Sequence, residues 1–448
     1  MIMAFRVRLS VGLTLIAACG VMTCTGGSAN GTDGGLDATV DVFDDVGFNT
    51  MDAGADADSA ADAEAGVVYN DITNAAFWTS FDLTTVDPSA KDFAGGTFDG
   101  RYVYFSPNGQ AVVARYDTTS AFASTSSWST FHANTQLTES GSCAGAAYDG
   151  HYVYFVPGAF GGGSGLEIIM RYDTTATFGS TSSWSTFDLS SADAGTSGYA
   201  GAIFDSRYLY FVSTEIPNGL MARFDTTAAF TDPGSYAFYK SSSGPSLSGL
   251  FDGRYAYFVP TGPNMLALQY DTTAEFDAGG AWSTFNLYTN FGHAGFQGGA
   301  FDGTYVYITQ GQSGGGLVVR YDPTTNFTSP AAWLSFDTTT VNANAQGFYG
   351  SAFDGRYIYF VPNAGTIVAR FDTQGTFTSA SAWSVYDLSA VSDAGVNAKC
   401  YAGAVFDGRF VYFVPNAACV GSETGGLVVR FDAKSPPSMP KGYSGSFF

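Results

Sequence analysis

The stretch Phe98-Asp99-Gly100-Arg101-Tyr102-Val103-Tyr104-Phe105 decides how this chain is read. Asp-Gly is a strong two-residue hairpin signal, because such turns need positive φ that Gly supplies without steric cost. The run that follows is apolar on both pleat faces, as in a strand covered on both sides. The same phrase returns at Tyr148, Phe204, Phe251, Phe301, Phe353 and Phe406, at intervals of 50, 56, 47, 50, 52 and 53 residues. A second mark, Arg115-Tyr116-Asp117, recurs at Arg171, Arg223, Gln269, Arg320, Arg370 and Arg430. A third opens a Ser/Thr-Phe run with an aromatic, at Trp78, Trp128, Trp184, Tyr236, Trp282, Trp333 and Trp383. Each mark occurs seven times, and the three stay in phase.

Around those marks each repeat reads as four strands. In the first, strand a is Phe93 to Phe98, strand b Arg101 to Phe105, strand c Ala111 to Tyr116, and strand d starts at Trp128. Four-stranded units at a period near ~50 are the signature of propeller blades. The expected fold is all-β, a seven-bladed β-propeller spanning residues 67–432. The phase also predicts its closure. A d-type strand, Trp78 to Leu83, precedes any strand a, and the last mark is a c-type strand, Gly426 to Asp432, with no d strand after it. The N-terminal strand should therefore be the outer strand of blade seven, which removes a free edge.

The order Tyr104-Phe105, Val113-Ala114-Arg115-Tyr116-Asp117 and Trp128 resembles the kelch repeat, over roughly residues 76–432. The double Gly usual after that family's second strand is absent, and Val-Pro stands there instead, as at Val156-Pro157 and Val361-Pro362. The resemblance implies a propeller and often a binding role, and no particular activity.

The N-terminus has the form of an export signal: Arg6 and Arg8, then a short apolar run from Leu9 to Ala18. That run is too short to span a bilayer at ~20 residues. Ile16-Ala17-Ala18-Cys19 resembles the lipobox of bacterial lipoproteins. This implies removal of residues 1–18 and a diacylated Cys19 that holds the protein on the outer membrane or cell surface. Residues 19–66 are an expected disordered linker: from residue 20 they hold nine Asp, one Glu and no basic residue, and too little apolar surface to offset chain entropy. The tail, 433–448, is expected to be flexible, with Phe447-Phe448 able to dock on the ring. A net charge of −22, from 40 acidic against 18 basic residues, excludes nucleic acid and anionic membrane surfaces as partners. The linker's Asp spacing is not that of a calcium loop, so calcium is at most a weak expectation and no cofactor is predicted. A monomer is expected.

Every Arg outside the signal sits in one of two repeat slots, after the turn or before the aromatic-Asp pair. Regular Arg and Asp at fixed repeat positions read as framework ion pairs, and the Trp series as packing between blades. The a–b turns and the Asp-to-Trp connections keep constant length and emerge on one face. The b–c and d–a loops vary and emerge on the other, where function is expected. Phe93, Tyr199, Phe296, Phe348 and Tyr401 start inner strands on that variable face. They either present aromatic surface to a ligand at the channel mouth or plug the channel. Cys400 and Cys419 flank one hairpin and are a feasible disulfide. Cys143 has no obvious partner. The three histidines, His132, His151 and His293, fall at positions unsuited to a shared metal. Carboxylates in variable-face loops (Glu139, Glu167, Asp193, Glu215, Asp393 and Glu423) leave glycoside hydrolysis or lysis conceivable. The leading expectation is a surface-exposed binding module, for glycan or another small polar-aromatic ligand at the variable face, followed by a protein-interaction scaffold of the envelope, and then an enzyme.

Overall fold

The computed structural model describes residues 66–109, 111–137, 142–158, 167–214, 220–241, 243–262, 264–311, 315–363, 365–393, 396–417, 425–440 and 446–447. The signal segment, Cys19 and the linker through residue 65 lie outside the described residues.

Seven four-stranded antiparallel units follow one another in the ring. Blade 1 is Phe93–Phe98 (a), Tyr102–Pro107 (b), Val112–Asp117 (c) and Trp128–His132 (d). The inner strands of blades 2 to 7 are Cys143–Tyr148, Tyr199–Phe204, Ser246–Phe251, Phe296–Phe301, Phe348–Phe353 and Tyr401–Phe406. Blade 7 takes Trp78–Asp82 as its outer strand, in antiparallel register with Leu427–Asp432 from Trp78 opposite Phe431 to Asp82 opposite Leu427. The predicted closure is therefore present. It is extended by a second pairing, Val68 with Ser435 and Tyr69 with Lys434.

The hairpin turn differs by one residue from expectation. Asp99 N–H donates to Tyr102 C=O, so the central pair is Gly100-Arg101. Only Gly100, at φ 99°, lies in the left-handed region, and Ser206 replaces that glycine in blade 3 at φ 83°. The shift frees the Asp99 carboxylate: Oδ1 accepts the N–H groups of Arg101 and Tyr102, and Oδ2 accepts the Tyr104 hydroxyl. Asp149, Asp205, Asp252, Asp302, Asp354 and Asp407 repeat that arrangement with their own tyrosines.

The Trp series forms a closed belt. Each Trp or Tyr that opens strand d stacks on the fourth residue of the preceding outer strand. The seven pairs, Phe81–Trp128, Phe131–Trp184, Phe187–Tyr236, Tyr239–Trp282, Phe285–Trp333, Phe336–Trp383 and Tyr386–Trp78, have centroids 4.1 to 4.9 Å apart and planes within 11°. The closing pair, at 4.4 Å and 8°, matches the rest. Each Trp indole N–H donates to the carbonyl six residues earlier, at Phe122, Phe178, Phe276, Phe327, Phe377 and, in the N-terminal strand, Ile72. The N-terminal segment thus imitates the connection that precedes every other outer strand.

The two Arg series do different work. Arg101, Arg207, Arg254, Arg356 and Arg409 pair with the Asp ending strand c of their own blade at 2.7 to 2.8 Å, as the framework reading expects. Among the described residues the second series makes no ion pair. Arg115 lies 4.0 Å from the Tyr102 ring centre and 4.2 Å from that of Phe178 in the next blade. Arg171, Arg223, Arg320 and Arg430 are sandwiched alike. A guanidinium between two rings is a cation–π clamp across the blade boundary. Arg370 keeps Tyr357 and donates to Asn70 C=O at 2.8 Å, in the blade whose partner segment carries Ile72 where the others carry Phe.

The tail is not free where it is described. From Asp432 it runs over the constant face. Lys434 is buried, Ser438 N–H donates to Gly408 C=O, and Pro440 lies against the turn at Gly355. Backbone pairing and burial of Lys434 hold it there, which the Pro- and Gly-rich composition concealed.

Candidate functional site

All seven inner strands carry a register shift between their first and third residues, as between Phe93 and Gly95 or Phe296 and Gly298. This β-bulge sits at the rim of the channel on the variable face. A bulge leaves one residue unpaired and re-aims its side chain. Its consequence is that the predicted aromatics are not at the mouth. Phe93, Tyr199, Phe296, Phe348 and Tyr401 are all fully buried and belong to the clusters between blades. Tyr199 and Tyr401 also spend their hydroxyls on Leu220 C=O and Leu427 C=O. As placed here the five rings offer no face to a ligand; they pack under the variable loops.

The bulged residue is the next one along: Ala94, Ala144, Ala200, Leu247, Gln297, Tyr349 and Ala402. None of these seven belongs to an interblade cluster. Blades 7, 1, 2 and 3 place Ala at the rim, and blades 4, 5 and 6 place Leu247, Gln297 and Tyr349. Size and chemistry at the mouth are therefore concentrated in one sector. The d–a loop of that sector carries the short helix Leu287–Phe291, capped by Asn286 and ended by Gly292 at φ 72°. It presents Tyr288, 53% exposed, to solvent.

Among the described residues the same sector holds buried side-chain atoms without hydrogen-bond partners: Ser246 Oγ, Gln297 Oε1 and Gln310 Oε1, and Ser351 Oγ farther along its strand. Gln310 stands where other blades usually end strand b with Pro, and its Nε2 donates to Ala294 C=O at 3.0 Å. Its oxygen lies over Gly315 and that of Gln297 over Gly311, so closely that a Cβ at either glycine would overlap the amide. An orphaned buried acceptor costs about 1–3 kcal/mol, and several within one sector are a feature to be explained.

The opposite side of the mouth is latched shut by its own hydrogen bonds. Asp92, at φ 64°, accepts from Asn108 Nδ2 and from Ala417 N–H. Ser142 donates to Asn108 C=O. Asn416 Nδ2 donates to Phe93 C=O at 2.8 Å.

Of the carboxylates singled out in the sequence, Glu167 and Asp193 are described, and both lie near Tyr199, where burial first and then their charges hold the hydroxyl above its ordinary range. Glu167 Oε1 accepts from Gly198 N–H, and Asp193 Oδ1 from Gly195 N–H. Glu139, Glu215, Glu423 and the Asp393 side chain lie outside the described residues. His132 pairs with Asp87 at 2.5 Å, and His151 fills an Arg slot against Asp173 at 3.1 Å. Hydrogen bonds from Ser89 and His132 overcome the opposing effect of burial, the largest single influence, and hold Asp87 below the usual carboxylate range. Among the described residues no cluster of three His, Cys, Asp or Glu has metal-binding geometry. Cys400 is disulfide-bonded; its expected partner, Cys419, lies outside the described residues. Cys143 is buried, and burial pushes its thiol up to about 12.

No family model matches this chain, and no curated protein is similar to it. Solved structures are. Virginiamycin B lyase from Staphylococcus aureus is 12% identical over 79% of this chain and 98% of that one, with a TM-score of 0.53. Kuenenia stuttgartiensis hydrazine synthase is 11% identical over 76% and 95%, at 0.52. YCF48 bound to D1 peptide is 12% identical over 79% and 96%, at 0.50. The likeness is one of fold. A ring that hosts such different proteins leaves function to the site.

Proposed function

We propose that this chain is the ligand-binding module of an exported, lipid-anchored protein, and that the variable-face sector of blades 4 to 6 takes a protein or peptide ligand. The observation that carries this reading is that blades 4 to 6 hold the larger rim residues Leu247 and Tyr349 and exposed Tyr288 in the sector where, among the described residues, the buried acceptors of Ser246, Gln297 and Gln310 have no hydrogen-bond partner. The apolar rim suits a polypeptide, and its backbone N–H groups would satisfy those buried acceptors once the amide and hydroxyl side chains turn toward the mouth. YCF48, a propeller of like fold, is bound to D1 peptide. Glycan binding is the second reading. It loses its main support with the burial of the five rings and rests on Tyr288 and Tyr349. The lipid anchor rests on Ile16 to Cys19, and kelch kinship on strand order.

The test is a photo-crosslinking residue at Asn290, beside Tyr288, compared with one at Ser120 on the constant face, both on intact cells. A defined protein crosslinked from Asn290 and not from Ser120 supports the proposal. Equal capture from both faces contradicts it. Polysaccharide binding that is lost in Leu247→Ala/Tyr349→Ala would reassign the sector to glycan.

A further inference from the structure

The constant-face end of the channel carries a different feature. Residues 446–447 form a fifth strand on blade 1, inside the ring, with Phe447 opposite Gly96 and Ser446 opposite Thr97. Its Cα atoms also come within 8 Å of inner strands of blades 2, 3, 6 and 7, which places it near the ring axis. Residues 438–440, the described part of the tail before it, lie on the constant face against Gly408 and Gly355. The innermost strand of a blade has an edge facing the channel, and its backbone groups on that side have no partner within the blade. Such an edge is a template for an added strand.

We infer that the channel edge of strand a in blade 1 is an acceptor for an extended polypeptide strand. Its ligand in trans is a partner's extended Gly/Ser segment bearing an aromatic, and the chain's own residues 446–447 hold the place in cis. Backbone pairing reads little of the sequence, so a partner segment of like shape competes for the same hydrogen bonds. Small side chains on the acceptor, Gly95 and Gly96, suit an incoming chain of small residues that is closely surrounded by other blades. This site lies at the opposite end of the channel from the blade 4 to 6 sector, so either stands without the other.

The experiment compares the full chain with a form ending at Pro440, using a fluorescein-labelled peptide of residues 440–447 and fluorescence anisotropy. The shortened chain should bind the peptide. The full chain should bind it at least about tenfold more weakly, since a tethered segment competes at millimolar effective concentration. A peptide with Pro in place of Ser446 and Phe447 should not bind, because Pro cannot donate to a ladder. A folded shortened chain that ignores the peptide overturns the inference, as does equal binding by both forms. If the shortened chain does not fold, hydrogen exchange of the full chain in excess peptide decides: faster exchange in 441–448 supports displacement and unchanged exchange refutes it. A dimer of the full chain that is lost on shortening would mean tails exchanged between copies, and would also refute a partner in trans.

Discussion

The two faces of the ring make the same kinds of connection and treat them in opposite ways. On the constant face one solution is repeated: a turn Asp that takes two N–H groups and a Tyr hydroxyl, an Arg on the Asp ending strand c, and an aromatic inserted across the blade boundary. On the variable face one backbone bond is also common to the blades, as from Asn108 N–H to Asp92 C=O and from Asn363 N–H to Gly347 C=O, but the side chains around it differ from sector to sector. Blades 7, 1 and 2 knot their loops through Asp92, Asn108, Ser142 and Asn416. Blades 4 to 6 leave acceptors unpaired beside larger side chains. Repetition marks what holds the ring, and departure from repetition marks where polar groups are unsatisfied by the fold itself.

The harshest way to break the comparison is to remove its closure. Deleting residues 67–84 takes away the outer strand of blade 7, Ile72, and two stacked pairs of the belt, Tyr386–Trp78 and Phe81–Trp128. The expected result is loss of the cooperative calorimetric transition, and a mutant that melts like the intact chain would show that the ring closes elsewhere. A milder break is Trp184→Ala. It empties a buried site stacked on Phe131 at 4.1 Å and is expected to cost about 3–5 kcal/mol in denaturant titration.

Acidity separates two kinds of Asp on the constant face. Burial, the largest influence, pushes Asp354 above the usual carboxylate range despite the N–H of Tyr357, the Tyr359 hydroxyl and Lys434. A group with a raised folded-state pKa favours the folded state increasingly as pH falls through that value toward the unfolded value of about 3.9. Asp117, Asp225 and Asp271 behave oppositely: burial raises them, but Arg and Thr hydrogen bonds together outweigh it. Their contribution is present above about pH 4 and is lost as pH falls through their lowered values. Asp354→Asn should therefore lose ground to the parent as pH drops from 7 to about 4, read as the difference in Tm. A difference that does not change with pH would contradict the raised value of Asp354.

Much of this was legible beforehand, and the exceptions are instructive. Strand number, blade phase and closure follow from spacing, because each mark is tied to a hydrogen bond made once per blade. The ring-facing residues were misplaced by one position, because a bulge inserts a residue without a composition signal of its own. Gly at the third position of the inner strand, as at Gly95 and Gly298, was the trace it left. The Phe six residues before each Trp escaped notice although it recurs with the same phase, from Phe122 to Phe377. It lay in what read as a loop, and loops are expected to be polar. The Arg clamps were read as ion pairs because sequence shows charges and conceals rings that arrive from the next blade. The tail looked flexible because backbone pairing, which holds it, leaves little mark on composition.

The smallest expected effect sharpens the comparison most. Gln297→Leu removes an orphaned oxygen at similar volume, so stability should be unchanged or rise by up to about 1 kcal/mol. Capture from the Asn290 probe should nevertheless fall. A stability loss would mean that Gln297 belongs to the framework.

The central claim, that the constant face holds the ring and the blade 4 to 6 sector of the other face does the recognising, is tested most directly by one paired measurement. Crosslinking yield from Asn290 and Tm are recorded together for Leu247→Ala/Tyr349→Ala and for Arg101→Ala/Arg207→Ala. The account predicts that the first pair keeps Tm and loses the crosslink, while the second lowers Tm and keeps it. The reverse assignment, or both properties falling together in both pairs, would contradict it.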